Sequence, residues 1–219
     1  MYLPYIGFFN KIKKADIFVI GDDFRYSKGY FYNRNKIKTP HGELMLTVPL
    51  KKNSSLKELK EVEISNNRDW SKKHLQNIEL YYKKSNYFEN YIDFFERIYN
   101  KEWKTLYDLN VETLFYLLEQ LDIDVPIYYT SSLLKDYVFT NKTQKLVDIC
   151  KELNATVYLS GISGKDYITE KIFEDNNLKL EYQNYLPKEY KQLWGRFIPN
   201  LSVIDLLFNL GEDARDIIK

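Results

Sequence analysis

From residue 127 to its end the chain alternates short apolar runs with helical repeats, and that order restricts the fold more than any other feature. The spacing predicts strands at 127–129, 156–159 and 179–182, with helices over 142–153 and 165–176 between them and a last helix over 202–210. Strands that alternate with helices at this spacing pair in parallel through right-handed crossovers. A further buried strand is predicted at 17–21, after a helix over 5–14 that opens at Pro4. Residues 43–50 set Leu44, Leu46, Val48 and Leu50 against Glu43, Met45, Thr47 and Pro49, and Val62, Glu63 and Ile64 repeat the period after a Lys/Ser-rich turn. These two runs are expected to pair as an early β-hairpin.

Between 67 and 122 the period becomes helical, with Trp70, His74, Ile78 and Tyr81 on one face, then Tyr87, Tyr91, Phe94, Phe95 and Ile98, then 106–121. The expected fold class is therefore α/β: a mostly parallel sheet flanked by helices, with an early β-hairpin and an inserted helical subdomain (67–122) inside one domain spanning 1–219. A chain of 219 residues buries enough apolar surface to do this without staples.

Charge and cysteine content exclude several classes. Lys and Arg number 32 against 31 Asp and Glu, a net charge of +1, so no global field draws the chain to nucleic acid or an anionic membrane. An anion site has to be local. No apolar run approaches the roughly 18 residues of a membrane span, and the first residues lack the charged and apolar regions of a signal peptide, so a cytoplasmic location is expected. One cysteine, Cys150, precludes an intrachain disulfide and a thiolate-rich metal cage. The two histidines, His41 and His74, lack any metal-ligand spacing: His41 reads as a turn residue, and His74 as a half-buried side chain on the face of Trp70 and Ile78. Twenty tyrosines suggest stacking platforms, but Tyr, Asn, Lys and Ile all have AT-rich codons, and genome composition accounts for the excess over average usage.

Three stretches carry the polar groups from which chemistry is built. Asp22 and Asp23 follow the strand 17–21 directly, at the carboxyl edge where open α/β sheets place ligands; a general base, a cation site and a plain turn or cap aspartate all suit them. Arg34, Lys36 and Lys38 fall at every second position, with Asn33 and Asn35 between, so an extended backbone would aim the three cations to one side, as a phosphate clamp or as a solvated edge strand. Ser160, Gly161, Ile162, Ser163, Gly164 and Lys165 follow a strand and open a helix, where backbone N–H groups cradle anions; the glycine spacing is neither a Walker loop nor GxGxxG, and an ordinary strand-to-helix turn explains the same letters. Asp205 is an acid on an apolar segment and needs a partner, for which Arg34 is the candidate.

With both ends in view the chain resembles the WbqC-like family over nearly its whole length. The resemblance rests on Leu3 to Phe9 (LPYIGFF), Ala15 to Ile20 with Asp22 and Asp23, Asn33 to Lys38 (NRNKIK) leading to Leu46 to Pro49, Trp70, Tyr87 and Phe88, Tyr158 to Gly161 with Tyr167, Tyr190, and Leu201 to Leu207. Family members sit in O-antigen and surface-polysaccharide gene clusters, and a glycine transferase acting on an amino sugar is the role suggested for them. What the resemblance implies here is a transferase joining glycine or a small acyl group, from an activated donor, to a nucleotide-linked amino sugar. In that scheme Asp22 or Asp23 removes the amine proton, Arg34, Lys36 and Lys38 hold diphosphate, Tyr26, Asn33, Asn35 and Tyr167 complete the substrate site, and Ser160, Gly161 and Gly164 bind an anion through their backbone. No metal is implied, and the motifs specify no cofactor. The family usually begins with a short strand ending in Gln-Pro, which is missing ahead of Tyr2, so an internal start, a truncation or an unpaired edge is expected. Two other classes compete. Pro4 to Phe8 is similar to the phosphate-binding turn of HIGH-type nucleotide-binding transferases but lacks both histidines, and a noncatalytic scaffold of a polysaccharide assembly complex would bind no nucleotide sugar at all.

Overall fold

The computed structural model describes residues 1–67 and 69–219; position 68, inside the helical region expected over 67–122, lies outside the described residues. The first helix, α1 (Ile6–Lys13), buries Ile6, Phe9 and Ile12 at helical spacing and leads into strand β1 (Phe18–Ile20). β1 pairs in parallel with β4 (Ile127–Tyr129), Phe18 facing Ile127 and Ile20 facing Tyr129. A second parallel pair joins β5 (Val157–Ser160) to β6 (Lys179–Tyr182), with helix α7 (Glu170–Asp175) on the connection between them and α6 (Lys142–Glu152) leading into β5.

The two parallel pairs are not hydrogen-bonded to each other, so the expected mostly parallel sheet is corrected to three two-stranded sheets among the described residues, two parallel and one antiparallel. β1 and β5 are three and four residues long, and both line one cleft instead of meeting. The antiparallel pair is β2 (Arg34–Thr39) with β3 (Gly42–Thr47), turned through Pro40 and His41, with Gly42 at φ 109°. That angle suits only a residue without Cβ. The alternation read at 43–50 is present, Leu46 and Val48 being buried while Glu43, Met45 and Thr47 are exposed. The partner expected for it was wrong: residues 62–64 reach it only through a single bridge between Leu50 and Ile64.

Helices α2 (Trp70–Tyr82), α3 (Phe88–Asn100) and α4 (Leu106–Gln120) share one apolar core with α1, the hairpin and α8 (Val203–Leu210). Phe208 of α8 stands at its centre, stacked on Tyr82 at 5.2 Å and packed against Phe88 and Phe95 at 5.6 Å. α4 starts where the Thr105 hydroxyl accepts from the Asp108 N–H, an N-cap that the sequence Thr-Leu-Tyr-Asp encodes locally. A smaller cluster of Leu146, Val147, Cys150, Ile168, Phe173 and Leu178 holds α6 and α7 to the second parallel pair. The helix expected over 165–176 is broken: a 3-10 turn at Ile162–Asp166 ends where the Gly164 carbonyl accepts from the N–H groups of Tyr167 and Ile168, and α7 starts at Glu170. Among the described residues no helix is long and apolar enough to cross a membrane.

Candidate functional site

Asp22 and Asp23 lie just past the carboxyl end of β1, opposite the start of the short helix α5 (Thr130–Leu133) that follows β4. Asp22 is buried, and its carboxylate accepts from the Thr130 hydroxyl (2.9 Å), the Ser131 N–H (3.0 Å) and the Ser131 hydroxyl (2.5 Å). Burial pushes its pKa up, but the Ser131 and Thr130 donors outweigh that, and the net shift is downward. Asp22 is thus held as a carboxylate. Asp23 lies 2.5 Å from the same Thr130 hydroxyl, whose single proton the two carboxylates share, and pairs with the Lys145 ammonium at 2.8 Å, and Lys145 lies over the Phe24 ring at 4.6 Å. Two aspartates, two hydroxyls and a lysine from three elements form this corner; Thr130, Ser131 and Lys145 carried no signal of their own in the sequence.

The alternating cations of β2 do not meet as the clamp expected of them. Lys38 is 1 % exposed, and its ammonium donates to Gln192 Oε1 (3.0 Å) and to the carbonyls of Arg196 (2.5 Å) and Gly195 (3.4 Å). Lys36 is paired with Glu43 at 2.6 Å. Arg34 is half-buried with no ion pair among the described residues, and its charge is felt by the Tyr26 hydroxyl. The intervening amides are structural: Asn35 donates to Leu3 O (2.7 Å) and Asn33 to Val48 O (2.8 Å), while Asn33 Oδ1 accepts from Tyr26. Arg34 is also not the partner of Asp205, whose oxygens accept from Tyr190 (2.7 Å) and Tyr82 (2.8 Å).

Ser160 is 2 % exposed and donates to the Gly161 carbonyl at 3.0 Å. A Cβ on Gly164 would stand 2.0 Å from Ser160 Oγ and 3.0 Å from the Ile168 Cδ1. Close packing of this turn therefore explains the second glycine. Gly164→Ala is expected to lower stability by about 1–3 kcal/mol, with the loss shrinking in a Ser160→Ala background because the clashing oxygen is gone. Denaturant midpoints of the two single variants and the double variant check this; strict additivity would refute it. Gly7 in the Pro4 to Phe8 segment is likewise a packing glycine, where a Cβ would meet Tyr5 at 2.4 Å and Tyr185 at 2.7 Å.

A cleft of about 880 Å³ lies between β1, β5, α1, α4 and α6, lined from both apolar clusters. Asp22 and Thr130 line it from the acid corner, Tyr167 from beyond β5, and Lys11 and Asn110 from α1 and α4. Of the residues expected at the site, Asp22 and Tyr167 face this cleft; Asp23 adjoins it, and Tyr26, Asn33, Arg34, Asn35, Lys36, Lys38, Ser160, Gly161 and Gly164 do not line it.

The WbqC-like protein family matches residues 1–217. The chain belongs to that family. A Mycobacterium tuberculosis protein described as "Uncharacterized protein Rv1507c" is 33 % identical to this WbqC-like chain over 223 residues, covering all of the chain and 94 % of the relative. No solved structure gives a significant match.

Two residues of the WbqC-like cleft were missed by sequence reasoning. Lys11 lies in the helix predicted over 5–14 and Asn110 in the helical run 106–121, and neither belongs to a motif that marks it. Lys11 is half-buried, and burial lowers its pKa. Asn110 Nδ2 donates to the Tyr32 carbonyl at 2.9 Å, but its Oδ1 is buried without a donor. Cys150 also lines the cleft, with its thiol pushed up to about 11 by burial, which leaves it a thiol and a poor nucleophile. His41 lies in the exposed hairpin turn, and His74 is buried against Tyr2. No group of three His, Cys, Asp or Glu side chains among the described residues is placed to hold a metal ion.

Proposed function

We propose that this WbqC-like protein transfers glycine, or a similar small acyl group, from an activated donor to the amine of a nucleotide-linked amino sugar used in O-antigen or another surface polysaccharide. The observation that carries the reading is the position of Asp22: an ionised carboxylate on the wall of a cleft of about 880 Å³, beside the carboxyl ends of β1 and β4. Family membership supports the link to polysaccharide assembly. Cavities of roughly 300–1,000 Å³ accommodate ligands of this size.

In this reading Asp22 accepts a hydrogen bond from the sugar's amine and orients it. The nitrogen lone pair attacks the acyl carbonyl carbon, the N–C bond forms as the bond to the donor's leaving group breaks, and the proton shed by nitrogen passes to the Asp22–Asp23 corner. Thr130 bridges the two carboxylates, and Lys145 holds Asp23 in place.

Thermal shift of the purified protein with nucleotide-linked 4-amino sugars, beside the bare nucleotides, tests this. At about 100 times its dissociation constant a ligand adds roughly 2.7 kcal/mol. The amino sugar is expected to stabilise the protein more than the bare nucleotide does, and Asp22→Asn to erase that difference. No stabilisation by any nucleotide-linked amino sugar, with the protein folded, would replace the transferase with a scaffold.

A further inference from the structure

We propose that Lys11 is the anion-binding residue of the cleft and takes the diphosphate of a nucleoside diphosphate moiety, with Asn110 Oδ1 accepting a hydrogen bond from the same ligand. This rests on reading the cleft as the substrate pocket, and it moves the diphosphate away from Arg34, Lys36 and Lys38.

Several charged groups line the cleft. Asp22 already accepts three hydrogen bonds from Thr130 and Ser131, Glu181 is paired with Lys179 at 2.6 Å, and Asp16 and Lys14 are exposed at the rim, where water screens them. The Met1 amino group also lines the cleft, but burial lowers its pKa to about 6, which leaves it mostly neutral at pH 7. Lys11 differs from all of these. Its stem is packed in the wall, and its ammonium is partly withdrawn from water, within 3.9 Å of where a Cβ of Gly161 would stand. Burial alone accounts for the lowering of its pKa, with no carboxylate among the described residues close enough to oppose it. A desolvated cation without a counter-charge is costly, and an anionic ligand removes the cost.

The position agrees with the fold. Gly161 follows β5 and Asp22 follows β1, so Lys11 stands beside the carboxyl end of one of the parallel strands that border the cleft, the edge where such sheets bind ligands. The second observation is independent of charge. Asn110 Oδ1 is a buried acceptor with no donor, in a molecule that satisfies nearly all its buried side-chain groups, and a base imide or exocyclic N–H supplies the missing partner. Phe8, Phe18, Tyr107 and Tyr158 also line the cleft, apolar and aromatic surface of the kind that packs on a base and a ribose.

Isothermal titration with UDP, dTDP and GDP, their nucleosides and inorganic pyrophosphate reads the proposal directly. At least one diphosphate is expected to bind the wild type, Lys11→Met to weaken it at least tenfold, Lys11→Arg to retain it, and Lys13→Met, an exposed position on the same helix, to stay within twofold. A measurement on the unmodified chain stands beside the variants: acetylation of Lys11 by an amine-reactive ester, followed by peptide mass spectrometry, should slow when the diphosphate is bound. Equal affinity of the wild type and folded Lys11→Met, unprotected acetylation, or no diphosphate bound at all would overturn the assignment. If amine acylation is detected while Lys11→Met binds normally, the transferase reading stands and this one falls. Loss of diphosphate binding in Lys11→Met without any amine acylation leaves this inference standing and removes the transferase.

Discussion

Replacing Asp205 by alanine is expected to remove about 3–5 kcal/mol of folding stability, the range for breaking a buried charged network by deleting one partner. Asp205 is fully buried in the first turn of α8, where its two oxygens accept from Tyr190 at 2.7 Å and Tyr82 at 2.8 Å. The Tyr82 oxygen in turn accepts from the Lys38 N–H at 2.9 Å. Burial raises the Asp205 pKa against the pull of both hydroxyls and of the Lys38 charge, while burial lowers that of Lys38 against the pull of Asp205. Alanine would leave the buried Tyr82 hydroxyl and the part-buried Tyr190 hydroxyl without this acceptor and the Lys38 ammonium without its opposing charge. Domains of this size are stable by only about 5–15 kcal/mol, so the variant should be marginal. A urea titration gives the result: the midpoint falls at unchanged slope. Lys38→Met combined with Asp205→Ala should cost clearly less than the sum of the single changes, since each removes the other's penalty. A loss below about 1 kcal/mol in the single variant would mean that water reaches the tyrosines.

The second large effect is a pH dependence carried by His74. Its ring is 5 % exposed, Nδ1 shares a hydrogen bond with the Tyr2 hydroxyl at 2.8 Å, and Trp70 and Tyr99 meet it edge-on at 5.3 and 5.9 Å. Burial brings its pKa down from 6.5 to about 4, with the Thr47 carbonyl opposing in part. Between those values the unfolded chain binds the proton and the folded chain does not, so stability is complete above pH 6.5 and is lost as pH falls toward 4. The full shift corresponds to about 3 kcal/mol. Chemical denaturation from pH 7.5 to 4 should show this slope, and His74→Gln should remove it while leaving the slope that the carboxylates contribute. An unchanged slope in the variant would assign the acid sensitivity elsewhere.

Much of the backbone was legible in the letters, because local periodicity and end signals set it. The strands at 127–129 and 179–182 are where the alternation put them, and α1, α2, α3, α4, α6 and α8 follow their apolar repeats to within a few residues. Asp22 and Asp23 fall at the end of β1 because a buried apolar run ends there. The cations of β2 show where such reading stops. Spacing by two correctly aligns Arg34, Lys36 and Lys38 along one strand, but it does not say what covers each one. Lys38 is covered by the loop at 192–196, which lies over 150 residues away in sequence, and Lys36 is met by Glu43 across the hairpin. Lys11 reversed the pattern: a residue ordinary in its helix became the desolvated cation of the cleft, because β5 and its following turn come up against α1.

By itself the sequence determined the family, the order of helices and strands and the parallel sense of the later pairs, since these depend on contacts within a few residues or on motifs that are contiguous. The tertiary structure alone decided that the strands split into separate pairs with a cleft between β1 and β5, that Asp205 is met by Tyr82 and Tyr190, and which lysine of the cleft is withdrawn from water. The physical reason is desolvation: whether a charge is screened by water, neutralised by a neighbour or left waiting for a ligand depends on groups that only folding brings together.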